Sequence, residues 1–135
     1  MKFAVSQIRK YKDGFPFETD FDITKEIQRV DLIGQNKCHI KGLIFEPKRD
    51  FFLVRLSFDL ELVMACAVSL EEVIVSLQFD QDVTYTYDPD PEGDDYEIVR
   101  DTLDLDQAFI TEIVLNLPYR VVKEGYEDYF PEEEF

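Results

Sequence analysis

The stretch "FFLVRLSFDLELVMACAV" at positions 51–68 decides the fold. Phe52, Val54, Leu56, Phe58, Leu60, Leu62, Met64 and Cys66 are apolar at alternate positions, and Arg55, Ser57, Asp59 and Glu61 stand between them. A period of two is the signature of a strand with one buried face, because successive side chains point to opposite sides of the backbone. The pattern returns in "EVIVSLQFDQDVTYTY" at 72–87, where Val73, Val75, Leu77, Phe79, Val83, Tyr85 and Tyr87 alternate with polar residues. The connector "SLEE" is too short for a crossover, so the two runs should pair antiparallel. The even-numbered face of the first and the odd-numbered face of the second should be buried.

Working outward, "KCHIKGLIFEP" at 37–47 reads as a third strand, with "KRD" at 48–50 as the tight turn that follows it. Strands longer than the usual five or six residues must coil strongly. In "DLDQAFITEIVLNLP" at 104–118, Leu105, Phe109, Ile113 and Leu117 recur every four residues, a helical spacing. Asp104 and Gln107 have the spacing of a capping box, and Pro118 stops the run. This helix should lie across the open face of the sheet. A short helix is expected within "AVSQIRKY" at 4–11, with Ala4, Ile8 and Tyr11 on one face. A further turn is expected in "DITKEIQRV" at 22–30, capped by Asp22 or Thr24. The expected fold is therefore α+β: a strongly curved antiparallel β-meander or half-barrel, with a C-terminal helix packed on it and a short N-terminal helix. Residues 1–123 should form one domain and the charged, aperiodic "EGYEDYFPEEEF" at 124–135 an acidic flexible tail.

A chain of 135 residues is long enough to bury a core without disulfides or metal. No apolar run approaches the length of a membrane span, and "MKFAVSQIRKYKDG" lacks the apolar segment of a secretory signal. Cys38 and Cys66 both fall in strand patterns, so a cytoplasmic protein with buried reduced thiols is expected. Charge is distributed unevenly. Residues 1–60 hold 11 Lys/Arg against 9 Asp/Glu, a net of +2, while residues 61–135 hold 3 against 21, a net of −18. Affinity for nucleic acid comes mainly from cations set against phosphates. An acidic chain of this kind is repelled by bare RNA or DNA over most of its surface, and basic proteins are its natural partners.

The sequence offers no active site. His39 neighbours Cys38 on a strand, so the two face opposite ways and cannot converge on one metal or proton; His39 reads as a surface imidazole. Two cysteines and one histidine do not make a zinc site, Cys66 has no evident base partner, and the five glycines form no phosphate loop. The stretch "YDPDPEGDDYEIV" at 87–99 opens like a calcium loop, with Asp88, Asp90 and Glu92 at alternate positions before Gly93. A calcium loop closes with a glutamate at its twelfth position, where Val99 stands, and its flanks are helical where these are strand-like. No cofactor or metal is expected. Asp88, Asp90, Glu92, Asp94 and Asp95 read instead as a solvated acidic loop that attracts a cationic partner.

Three segments in order, "MKFAVSQIRKYKDGFPF", "LELVMACAVSLEEV" and "DTLDLDQAFITEIVLNLP", resemble the YceD-like family of bacterial and plastid proteins, over a span from Met1 to about Val121. Cys66, Leu70, Asp104, Leu105, Leu117 and Pro118 occupy the family's motif positions, and as residues of this chain Cys66 and Leu70 read as core at a sheet turn. Val68 stands where many members carry arginine, and the cysteine-rich tail of many members is missing, so zinc is not carried over. The resemblance implies a role in accumulation or processing of large-subunit (23S) ribosomal RNA. The expected function is thus a non-enzymatic ribosome-biogenesis factor that binds a basic partner, such as a large-subunit ribosomal protein or an assembly factor. The alternative is an RNA-binding module using Arg9, Lys10 and Lys12, which interleave, with Lys2, with Phe3 and Tyr11.

Overall fold

The computed structural model describes residues 1–34 and 36–118, so the tail expected at 124–135 lies outside the described residues. The elements in chain order are β1 (Lys2–Ala4), α1 (Val5–Ile8), β2 (Phe15–Asp22), α2 (Ile23–Glu26), β3 (Lys37–Lys48), β4 (Phe51–Ala65), β5 (Glu72–Thr86), β6 (Tyr96–Glu97), β7 (Thr102–Asp104) and α3 (Asp106–Asn116). The architecture is α+β. A five-stranded sheet runs in the order β2-β3-β4-β5-β6, and β1 with β7 makes a second, two-stranded sheet. Strands β2 to β5 pair antiparallel in sequence, and β6 lies parallel to β5 over two residues. The sheet is not closed, with β2 at one end and β6 at the other. Among the described residues no helix is long and apolar enough to cross a membrane.

The two alternating runs form the β4–β5 hairpin, with Phe58 opposite Phe79 and Leu60 opposite Leu77. On β4 the even-numbered side chains from Phe52 to Met64, and Cys66 just beyond, are at most 2% exposed. On β5 the odd-numbered face is covered unevenly. Val83 and Tyr85 are buried, whereas Val73, Val75, Leu77 and Phe79 are only half-buried. The turn between the strands differs from expectation at Leu70. Its backbone is left-handed (φ 64°) and its side chain is 75% exposed, so it is not a core residue. The Leu70 and Cys66 amides donate to the carbonyls of Cys66 and Glu71, and this tight turn leaves the side chain pointing to solvent.

Strand β2 was not expected from the sequence. Its Phe15, Phe17 and Phe21 face the helices, and Pro16 is tolerated because an edge strand can spare a ladder donor. Gly42 of β3 lies opposite Phe17, whose ring lies over it. Helix α3 packs on this face: Phe109 sits 6.0–6.4 Å from the rings of Phe17, Phe21 and Phe58. The every-four spacing holds, with Leu105, Phe109 and Ile113 buried and Leu117 half-buried. The capping box does not form. Asp104 is paired in β7 with Lys2 and its carbonyl accepts from the Tyr85 hydroxyl at 2.8 Å, so the helix starts later. The Asp104 carboxylate accepts from the Asp106 amide, and Gln107 donates to Thr111 instead of turning back. In α1 the buried pair is Val5 and Ile8, while Tyr11 is 52% exposed. Asp22 caps α2 as expected, accepting from the Lys25 amide at 3.1 Å.

Candidate functional site

The acidic stretch 87–95 links β5 to β6 at the open end of the sheet. Its ends are fixed by aromatic packing: the Tyr85 and Tyr96 rings stack with centroids 5.2 Å apart. The Tyr87 hydroxyl donates to Asp101 at 2.7 Å, and burial together with that bond pushes it up to about 12. Between these anchors Asp88, Asp90, Glu92, Asp94 and Asp95 are all exposed. Asp90 accepts from the Glu92 amide, and Asp95 accepts from the Thr84 hydroxyl. None of the five carboxylates has an ion-pair partner among the described residues. Among the described residues no group of three or more His, Cys, Asp or Glu could hold a metal ion. The flanks of the loop are the strands β5 and β6.

Four of the eleven cations of residues 1–60, Arg9, Arg29, Lys41 and Arg55, face carboxylates within the chain. Arg9 makes two bonds to Glu46 (3.1 and 2.8 Å), a third to Asp50 (2.9 Å), and lies over the Phe52 ring. Those bonds, Glu46 first, raise the guanidinium further, and the same bond holds the Glu46 carboxyl below the usual range. Arg29 pairs with Asp31, Lys41 with Glu18, and Arg55 faces Asp82 at 3.9 Å. Lys10 and Lys12 remain exposed beside Arg9. Of the aromatic residues interleaved with them, Phe3 faces inward onto Phe15 and Phe17, while Tyr11 stays half-exposed with its ring at an edge-on 5.0 Å from Phe15. Arg9, Tyr11 and Lys12 line one small pocket with Phe45 and Glu46, and within it Arg9 is held by Glu46 and Asp50.

His39 and Cys38 face opposite sides, as strand geometry requires. Burial pushes the Cys38 thiol up to about 12, which disfavours the thiolate. His39 is half-exposed between two carboxylates, with Nδ1 2.8 Å from Asp20 and Nε2 3.6 Å from Glu18. Of the other motif positions, Cys66 and Leu105 are in the core, and the Pro118 carbonyl accepts from Arg29 at 3.1 Å.

One feature escaped the sequence reading. Between α3 and the end of β5 runs a groove of about 540 Å³, lined by Gln81 to Thr84, Asp94 and Tyr96 on one side and Thr111, Glu112 and Leu115 on the other. Glu112 is only 9% exposed, and its carboxylate has no hydrogen-bond or ion-pair partner among the described residues. Burial alone raises its carboxyl above the usual range. The signal was present in the sequence. Glu112 falls three residues after Phe109, on the edge of the apolar stripe, where a carboxylate is out of place. No protein-family model matches the chain, and neither does any curated protein or solved structure.

Proposed function

We propose that this chain is a non-enzymatic ribosome-biogenesis factor that supports large-subunit ribosomal RNA accumulation by binding a basic protein, a ribosomal protein or an assembly factor. The observation that carries the partner's chemistry is the charge distribution. The five carboxylates of the 88–95 loop are exposed and have no ion-pair partner among the described residues, whereas Arg9, Arg29, Lys41 and Arg55 face carboxylates within the chain. Such a surface steers cations toward it and screens a basic client before RNA replaces it. The ribosomal context rests on the ordered motifs that resemble the YceD-like family. The same reading takes the sheet as strongly coiled around α3, and the protein as cytoplasmic.

The test is the association rate with the captured partner, at low and at physiological salt, for the parent and for a variant with Asp88, Asp90, Glu92, Asp94 and Asp95 changed to Asn or Gln. Exposed charges act within a Debye length of about 8 Å at physiological ionic strength, so the variant should associate more slowly and with a flatter salt dependence. An unaltered rate would reduce the loop to a solvated connector. Tight binding to protein-free ribosomal RNA that disappears when Arg9, Lys10 and Lys12 are neutralised would instead assign the function to the amino-terminal segment.

A further inference from the structure

Strand β5 is an open edge over most of its length. β6 pairs only with Tyr85 and Thr86, and among the described residues no strand lies beside Glu72 to Thr84. The Thr86 carbonyl accepts from the Ile98 amide on the β6 side. Stepping back by twos along a strand with no register shift, the backbone N–H and C=O of Asp82, Asp80, Gln78, Ser76 and Ile74 point into the open lane. The opposite parity on β4 agrees, since Val63 exchanges its backbone bonds with Ile33 and Asn36, away from β5. Soluble proteins usually guard such an edge with lysine, proline or a bulge. Residues 72–84 contain no lysine, arginine or proline, and the pairing with β4 has no bulge.

The two faces of the edge differ in chemistry. Toward the core lie Val73, Val75, Leu77 and Phe79, all half-covered, and toward solvent lie Glu72, Asp80 and Asp82. The lane ends in the groove that contains the buried Glu112, whose carboxylate has no partner among the described residues. A desolvated carboxylate without a donor is a cost that a guanidinium or ammonium group would remove. For a second copy of the chain, the antiparallel register centred on Leu77 is disfavoured, because it would set Glu72 opposite Asp82.

We propose that the open lane beside β5 receives an extended segment of a protein partner, apolar toward the core and basic toward solvent, which adds as a strand and sets one core-facing cationic side chain near its end against Glu112. The proposal rests on the reading of the partner as a basic protein and specifies how that partner is held. Main-chain bonds supply affinity, and the alternation of faces supplies the choice of sequence.

The probe is a labelled dodecapeptide alternating valine and lysine, with one valine near its end replaced by lysine, compared with one of the same composition arranged in two blocks. Anisotropy titrations should show the alternating peptide binding more tightly, and amide exchange should slow at Ser76, Gln78 and Asp80 when it binds. Ser76→Pro removes one edge-facing N–H and crowds the lane while leaving the bonds to β4 intact, so affinity for the alternating peptide should fall about tenfold or more. Glu112→Gln, which keeps the fold, should weaken binding about tenfold by removing a charge-assisted bond. Equal affinity of Ser76→Pro and parent, or equal affinity for the two peptides, would overturn strand addition. Should loop neutralisation still reduce on-rates in that case, the basic-partner reading would survive without it. Failure of both peptides to bind the parent would count against both. A dimer of the free protein that Ser76→Pro dissociates would assign the edge to a second copy and overturn the proposal.

Discussion

Phe109→Ala tests whether α3 is held by the sheet and whether the groove it walls is a fixed structure. Phe109 is 1% exposed, and its ring sits 6.0–6.4 Å from those of Phe17, Phe21 and Phe58, which come from the edge and the centre of the sheet. Removing a buried phenylalanine ring loses its transfer free energy and leaves a cavity, together about 3–5 kcal/mol. A domain of this length has an unfolding entropy of about 0.28 kcal/mol/K, so the melting temperature should drop by about 11–18 °C. Total stability for 135 residues falls at roughly 7–20 kcal/mol, so the variant should still fold in the cold. The assay is thermal and urea unfolding followed by circular dichroism, with Val114→Ala as the control. Val114 lies on the same helix but is 49% exposed, and its truncation should change stability by less than about 0.5 kcal/mol. A loss below about 1 kcal/mol for Phe109→Ala, or an equal loss for Val114→Ala, would refute the docking argument.

Gly42→Ala should cost about 1–3 kcal/mol of stability, read as a lower urea midpoint, because its Cβ would lie 2.1 Å from the Phe17 ring; a neutral substitution would show that the ring does not cover that position. Burial raises the Glu112 carboxyl, so its contribution to stability is complete below the unfolded value of 4.5 and is lost as pH rises through the higher folded value. Glu112→Gln should therefore melt higher than the parent at pH 7, with the gap closing on acidification, and a parent that melts higher at pH 7 would contradict this. Melts with chelator and with excess calcium or zinc should coincide, since a specific site filled to a hundred times its dissociation constant would add about 2.7 kcal/mol.

How much of this was legible depends on how locally each feature is determined. The β4–β5 hairpin was readable because burial of one face imposes the period of two on the sequence itself, from Phe52 to Met64 and from Val73 to Tyr85. Helix α3 was readable for the same reason at a different period. Strand β2 alternates too, but Pro16 and the carboxylates of Glu18, Asp20 and Asp22 argue against a strand until its position at the sheet edge is known. The capping box failed because Asp104 is claimed by β7 and by the Tyr85 hydroxyl, contacts made by residues far along the chain. Leu70 failed because its exposure follows from the left-handed turn after Cys66, not from its own hydrophobicity. The acidic loop was evident from composition, whereas Glu112 needed the fold, since a carboxylate beside an apolar stripe becomes a site only when β5 closes the other wall of the groove.

The open edge is the least local feature of all. Alternation marks β5 as a strand but says nothing of what pairs with it, because pairing depends on which other segments supply a strand of matching length. After Tyr87 the described chain supplies only Tyr96–Glu97 beside it, since the intervening residues carry prolines, a glycine and mutually repelling carboxylates. The acidic loop and the open edge thus have one cause. The prolines, glycine and carboxylates that give residues 88–95 their exposed negative charge also keep them from pairing along β5, and the lane left open among the described residues borders those carboxylates and Glu112. A basic extended segment drawn by the loop would meet unpaired backbone groups within reach, so steering and docking would act in sequence on adjacent surfaces.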